Sequence, residues 1–149
     1  MLTGGCLCGG VRFEVAEPLV SAGYCHCKRC QRRTGTAASA SGRIAPGSLR
    51  ITSGEELLGS FDPPQGFSKV YCAACGSALW SRHPQDPDVI SVRLGAFDGD
   101  PGIRPSYRQL RCLRGALGAD PGRRAASFSG GQAVERLIRD LRFRLAVCG

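Results

Sequence analysis

The chain has 149 residues, 42% of them hydrophobic, with a formal net charge of +8. That length is one domain's worth, and no apolar run approaches the ~18 residues needed to span a membrane as a helix. The first ten residues, MLTGGCLCGG, have no charged segment leading into an apolar one, so they do not read as a secretory leader, and the expected compartment is the cytoplasm, where thiols stay reduced.

From the N-terminus to Tyr107 the sequence reads as short strands separated by turns. VRFEV (Val11–Val15) alternates apolar and polar residues, the mark of a half-buried strand. Leu49–Thr52, Glu56–Phe61, Phe67–Cys72, Ser77–Arg82 and Val89–Phe97 follow, with PPQG, HPQDPD and DGDPG as the breaks. No long amphipathic helix interrupts them. The expectation is a mainly β domain of small sheets, with metal compensating for a thin core.

After Tyr107 the texture changes. Residues 108–149 show no strand alternation and are rich in Arg, Gly and Ala. They carry nine Arg against three acids, whereas residues 1–107 carry 11 Lys and Arg against nine acids. The basic character is therefore mostly a property of the tail. Ala133–Val147 has helical spacing of Val134, Leu137, Ile138, Leu141 and Leu145; the rest of the tail is expected to be partly disordered.

Nine cysteines in a reducing compartment are better explained by metal than by disulfides. Seven fall in tight groups: Cys6 and Cys8 in CLCGG, Cys25, Cys27 and Cys30 in YCHCKRC, and Cys72 and Cys75 in CAACG. Zinc takes four ligands in structural sites, and three protein ligands plus an open position in catalytic ones. CAACG has the form of a zinc knuckle, with Gly76 free to adopt the left-handed turn that aims amides at sulfur. CLCGG is a second corner, in which the chain must bend, because on a regular strand Cys6 and Cys8 lie too far apart for one ion. Two corners of two sulfurs make one closed site. Cys25, Cys27 and Cys30 then form a trio with no obvious fourth ligand, suited to Lewis-acid chemistry. Lys28, Arg29, Arg32 and Arg33 surround it, where cations lower thiol pKa and can receive an anionic substrate.

Other assignments stay open at this level. One four-cysteine site with leftover reactive thiols fits the same spacings. His26 can close the trio as a fourth ligand, although its place between two ligating cysteines favours pointing away. His83 reads as a solvated turn residue, Cys112 and Cys148 as non-ligands, and the Lys/Arg run also reads as a solvated face.

GGCLCGGVRFEV, YCHCKRCQRRTG and YCAACGSALW, in that order, resemble the glutathione-dependent formaldehyde-activating enzymes, the family that includes centromere protein V. The likeness covers residues 3–107 and extends to DPGIRPSY. It implies an Mss4-like fold, a tent of small antiparallel β-sheets braced by zinc. It implies two zinc ions per chain: a structural one on Cys6, Cys8, Cys72 and Cys75, and a catalytic one on Cys25, Cys27 and Cys30. The implied activity is the condensation of a thiol such as glutathione with formaldehyde, an S-(hydroxymethyl)glutathione synthase reaction classed as a carbon–sulfur lyase. The competing reading is a non-catalytic zinc module or a pseudoenzyme of the same family. A nucleic-acid partner is not expected, because the core is close to neutral and lacks interleaved aromatics.

The tail departs from the resemblance. The family continues after RPSY into a segment like Y-V-A-S-x-A-P-W-x-x-I-P-D-D-x-L-P-x-F. Synonymous codons exist for Leu110–Gly131 that, read one base later, spell YVASGAPWEPIPDDGLPRFQE. We therefore read the tail from about Leu110 as out-of-frame translation following a one-base insertion near codons 108–110. Nucleotide sequencing checks this: the bases around codon 117 should spell TGG in the shifted frame, and any other triplet there overturns the reading.

Overall fold

A computed structural model describes residues 1–110; the tail beyond Leu110, with its expected helix at 133–147, lies outside the described residues. Ten strands and one α-helix follow in chain order: β1 (Leu2–Gly5), β2 (Arg12–Val15), β3 (Ser21–Cys25), α1 (Lys28–Thr34), β4 (Ser39–Arg43), β5 (Leu49–Ser53), β6 (Leu58–Phe61), β7 (Ser68–Cys72), β8 (Ala78–Arg82), β9 (Ile90–Arg93) and β10 (Tyr107–Gln109). They form a three-stranded sheet ordered β1-β2-β5 and a seven-stranded sheet ordered β10-β3-β4-β9-β8-β7-β6. The fold is mainly β, in antiparallel sheets as expected, with one exception. β10 pairs with β3 in parallel, Tyr107 opposite Gly23 and Gln109 opposite Cys25. That pairing carries the folded unit past residue 107.

The core lies between the sheets. Val11, Phe13 and Val15 are buried on β2 and its approach, and meet Val70, Leu79, Trp80 and Val92 from the larger sheet. Phe13 sits edge-on to both Trp80 and Phe97, with ring centroids 5.8 Å apart in each pair. This geometry lets the positive ring edge meet the negative face. The alternation read in β2 is real, and β7 and β9 alternate as well: Val70 and Val92 face the core, while Lys69 and Arg93 belong to the other face.

Five elements were not legible. β3 (SAGYC) and β4 (SASGR) are built of small and polar residues, and α1 is only seven residues long. β1 and β10 are shorter still. Two strands expected to be longer are trimmed by 3-10 turns: Glu55–Leu57 precedes β6, and Leu94–Ala96 follows β9.

Candidate metal centres and a cationic cavity

The first cysteine group closes the gap between the two sheets. Cys6 and Cys8 sit in the β1–β2 turn, where the Cys6 amide donates to the Val11 carbonyl at 3.1 Å and the Val11 amide donates to Cys6 Sγ at 3.2 Å. Cys72 ends β7, and Cys75 follows in the β7–β8 turn. There Gly76, at φ +74°, donates to the Cys72 carbonyl at 2.8 Å. That left-handed φ is the reason a glycine stands after the knuckle. Ser77 stitches the two corners together: its hydroxyl accepts from the Leu7 amide at 2.9 Å and lies 3.2 Å from Cys75 Sγ. That hydroxyl and the Ser77 amide hold the Cys75 thiol down at about 5.

The four sulfurs lie within 4.8 Å of one another. Cys6 Sγ is 3.4 Å from Cys8 Sγ, and Cys8 Sγ is 3.9 Å from Cys72 Sγ. Four thiolates at ~2.3 Å around a tetrahedral zinc stand about 3.8 Å apart, so the donor set fits such an ion. No disulfide links any of the seven described cysteines.

The second group is built by one short connection. Cys25 is the last residue of β3, Cys27 caps the N-terminus of α1 and accepts from the Cys30 amide at 3.3 Å, and Cys30 is buried one turn into the helix. The Gln31 side chain fastens this connection by donating to the His26 carbonyl at 2.9 Å. The three sulfurs also lie within 4.8 Å of one another. His26 is buried but stands outside the group; both its ring nitrogens lack a hydrogen-bond partner among the described residues. Thus no fourth side-chain donor joins the trio there. Cys30 holds the Cys25 thiol down at about 5, while Cys25 and then burial push the Cys30 thiol up. A metal cation held by the three sulfurs would displace their protons.

The trio opens on a cavity of about 290 Å³. Its floor is one face of the larger sheet, seen in the alternation of the lining residues on β4 (Ser39, Ser41 and Arg43) and β9 (Ser91 and Arg93), with Gly23, Tyr24 and Cys25 of β3 beside them. Ser81 of β8 and Lys69 of β7 complete it, with Tyr107 and Gln109 of β10 at the rim. The Tyr107 ring lies directly over Gly23, in the space a Cβ there would need.

Of the four cations read around the trio, Arg29 lines this cavity and donates to the Gln65 carbonyl. Lys28 and Arg32 are exposed. Arg33 turns away to donate to the Val70 carbonyl at 2.6 Å, with its guanidinium 5.7 Å from the Tyr71 ring centre. The sequence reading missed Arg43, Lys69 and Arg93. The available signal was the placement of a charge at alternate positions in SKVYC and VISVR, which reads equally as a solvated face.

No helix among the described residues is long and apolar enough to cross a membrane. The crystal structure of a Rhodobacter sphaeroides protein shares the fold, with a TM-score of 0.57 and 24% identity, covering 72% of this chain and all of that one. A Halomonas elongata protein named "Putative glutathione-dependent formaldehyde-activating enzyme" is 27% identical over 106 residues, 67% of this chain and 68% of its own length. The sequence pattern of the family described as glutathione-dependent formaldehyde-activating enzyme matches residues 1–112, the stretch that holds both cysteine groups and every strand among the described residues. The chain belongs to that family.

Proposed function

We propose that this chain is a zinc enzyme that joins a thiol of the glutathione type to formaldehyde or a related small aldehyde, an S-(hydroxymethyl)glutathione synthase-like carbon–sulfur lyase. In this reading Cys6, Cys8, Cys72 and Cys75 hold a structural zinc, and Cys25, Cys27 and Cys30 hold a second. The observation that carries it is a set of three sulfurs, without a fourth side-chain donor among the described residues, in the wall of a cation-lined cavity. Four thiolates saturate an ion; three leave it able to take a ligand.

When bound in the trio, zinc supplies Lewis acidity, which lowers the proton affinity of a thiol and polarises a carbonyl oxygen. The protein's own groups do the rest. β3 and the cap of α1 fix the three sulfurs on rigid elements. Arg29 and Arg43, both exposed at the cavity, offer ion pairs to the carboxylates of a glutathione-like thiol. The cavity is near the ~300 Å³ lower end of small-molecule sites. Confined there, thiol and aldehyde form one sulfur–carbon bond, and the thiol proton ends on the former carbonyl oxygen. Such chemistry requires reduced thiols, which places the protein in a reducing compartment such as the cytoplasm.

Exchange NMR of glutathione with formaldehyde tests this directly. Zinc-loaded protein should accelerate hemithioacetal formation above the buffer rate, and native mass spectrometry should find two zinc ions per chain. A rate equal to buffer at full occupancy overturns the enzymatic reading; a single ion overturns the second site.

A further inference from the structure

Arg93 is the buried charge in this cavity that the proposed reaction leaves unused. It is 8% exposed, and its guanidinium donates to the hydroxyls of Ser39, Ser41 at 2.6 Å and Ser81 at 2.9 Å. Its Nε is buried with no partner among the described residues. Lys69 reaches the same Ser81 oxygen from the next strand, 3.4 Å from its Nζ. Two cations thus converge on one hydroxyl, in a partly dehydrated site, without a carboxylate. The ion pairs among the described residues are Arg12–Asp98, Arg50–Glu14 and Arg104–Asp100, and no Asp or Glu lines the cavity. Such an arrangement is unfavourable until an anion joins it. The trio cannot supply all of that charge. Three thiolates around a divalent ion carry a formal −1, against Arg29, Arg43, Lys69 and Arg93 at the cavity.

The position of the surplus charge says which reactant carries the anion. Ser39, which accepts from Arg93, stands directly opposite Cys25 in the β3–β4 ladder, and Arg93 itself stands opposite Ser41. Arg93 therefore lies on the floor beside the trio, while Arg29 and Arg43 stand at exposed positions. A glutathione carboxylate is several bonds from its sulfur and suits the exposed pair. Formaldehyde has no charged group for a buried cation to pair with. A carboxylate bonded to the reacting carbon does.

We propose that Arg93, Lys69 and the hydroxyls of Ser39, Ser41 and Ser81 form a carboxylate site, and that the aldehyde taken by this chain is a small 2-oxo acid of the glyoxylate class. The inference rests on the thiol–aldehyde reading above. The step balances without a further reactant: the thiol sulfur bonds to the aldehyde carbon, the carbonyl π bond breaks, the thiol proton ends on that oxygen, and the carboxylate is unchanged.

The test has a binding arm and a turnover arm. Ligand-observed NMR should show propionate, but not propionamide, broadened by the protein, with the broadening lost in Arg93→Gln and Lys69→Met. With 2-mercaptoethanol as a thiol lacking a carboxylate, kcat/KM for glyoxylate relative to formaldehyde, each divided by its buffer rate, should exceed one by about 10- to 100-fold, the worth of one charged hydrogen-bonded contact. Lys69→Met, at a half-buried position that should tolerate the change if Arg93→Gln does not fold, should return that ratio toward one. Propionate that does not bind, or a ratio unmoved in Lys69→Met, overturns the proposal. An effect of the two substitutions confined to the KM of glutathione also overturns it, because the thiol then supplies the carboxylate. If no aldehyde at all is turned over, the enzymatic reading fails, and the 2-oxo acid substrate with it; the propionate arm still decides the carboxylate site.

Discussion

Cys8→Ser is expected to unfold the protein at temperatures where the wild type is stable, although the Cys8 side chain is exposed and buries almost nothing. The four-thiol centre joins the β1–β2 turn to the β7–β8 turn, and so one sheet to the other. A structural zinc contributes an apparent ~10–16 kcal/mol in small zinc-finger peptides, as much as the whole ~5–15 kcal/mol stability of an ordinary domain. Cys72, fully buried at the end of β7, should behave in the same way on replacement by serine. The comparison separates ligation from packing: loss of burial alone predicts damage at Cys72 and none at Cys8. Thermal denaturation with and without a zinc chelator checks it. A Cys8→Ser protein that melts with the wild type and keeps both ions would show that the sheets hold together without the centre.

Cys30→Ser should instead leave the fold standing and remove the reaction. Serine matches cysteine in size, the Cys27 thiol still accepts the amide at position 30, and the four-thiol centre is elsewhere. The chain should bind one zinc instead of two. Lewis-acid stabilisation worth several kcal/mol corresponds to roughly a 10³-fold loss in catalysed rate. Circular dichroism, metal analysis and the exchange assay on one sample decide the case. Wild-type turnover by a one-zinc Cys30→Ser protein would move the chemistry away from the trio.

The cysteine grouping was legible because ligation is local: two or three sulfurs on one ion need short spacings and a glycine-permitted reversal, and both are written in CLCGG and CAACG. β2 announced itself by alternation, and β5 to β9 as short runs between Gly and Pro breaks. β3 and β4 did not, because their task is to let other groups approach. The Tyr107 ring covers Gly23, and the side chains of Leu19 and Leu94 occupy the space beside Gly42. α1 is too short to show a helical period and is capped by Cys27, a thiol outside the usual capping residues. The cavity was hidden for a different reason. Arg93 and Lys69 look in sequence like the wet side of a strand, and only the order β4-β9-β8-β7 brings them to one floor beside Cys25.

The four-thiol centre links residues 64 positions apart through Cys8 and Cys72. A ribosome therefore releases Cys6 and Cys8 long before their partners, and completes the sequence from Cys25 to Cys30 in between. On the two-zinc reading proposed above, the trio is the first full set of sulfurs to meet the cell's metal pool during synthesis, and the brace comes later. Loading order thus runs opposite to structural need. On that reading the last two sulfurs find an ion by closing a long loop, a step whose entropy grows only slowly with loop length, and zinc scarcity during translation would leave chains loaded at one centre and still open at the other.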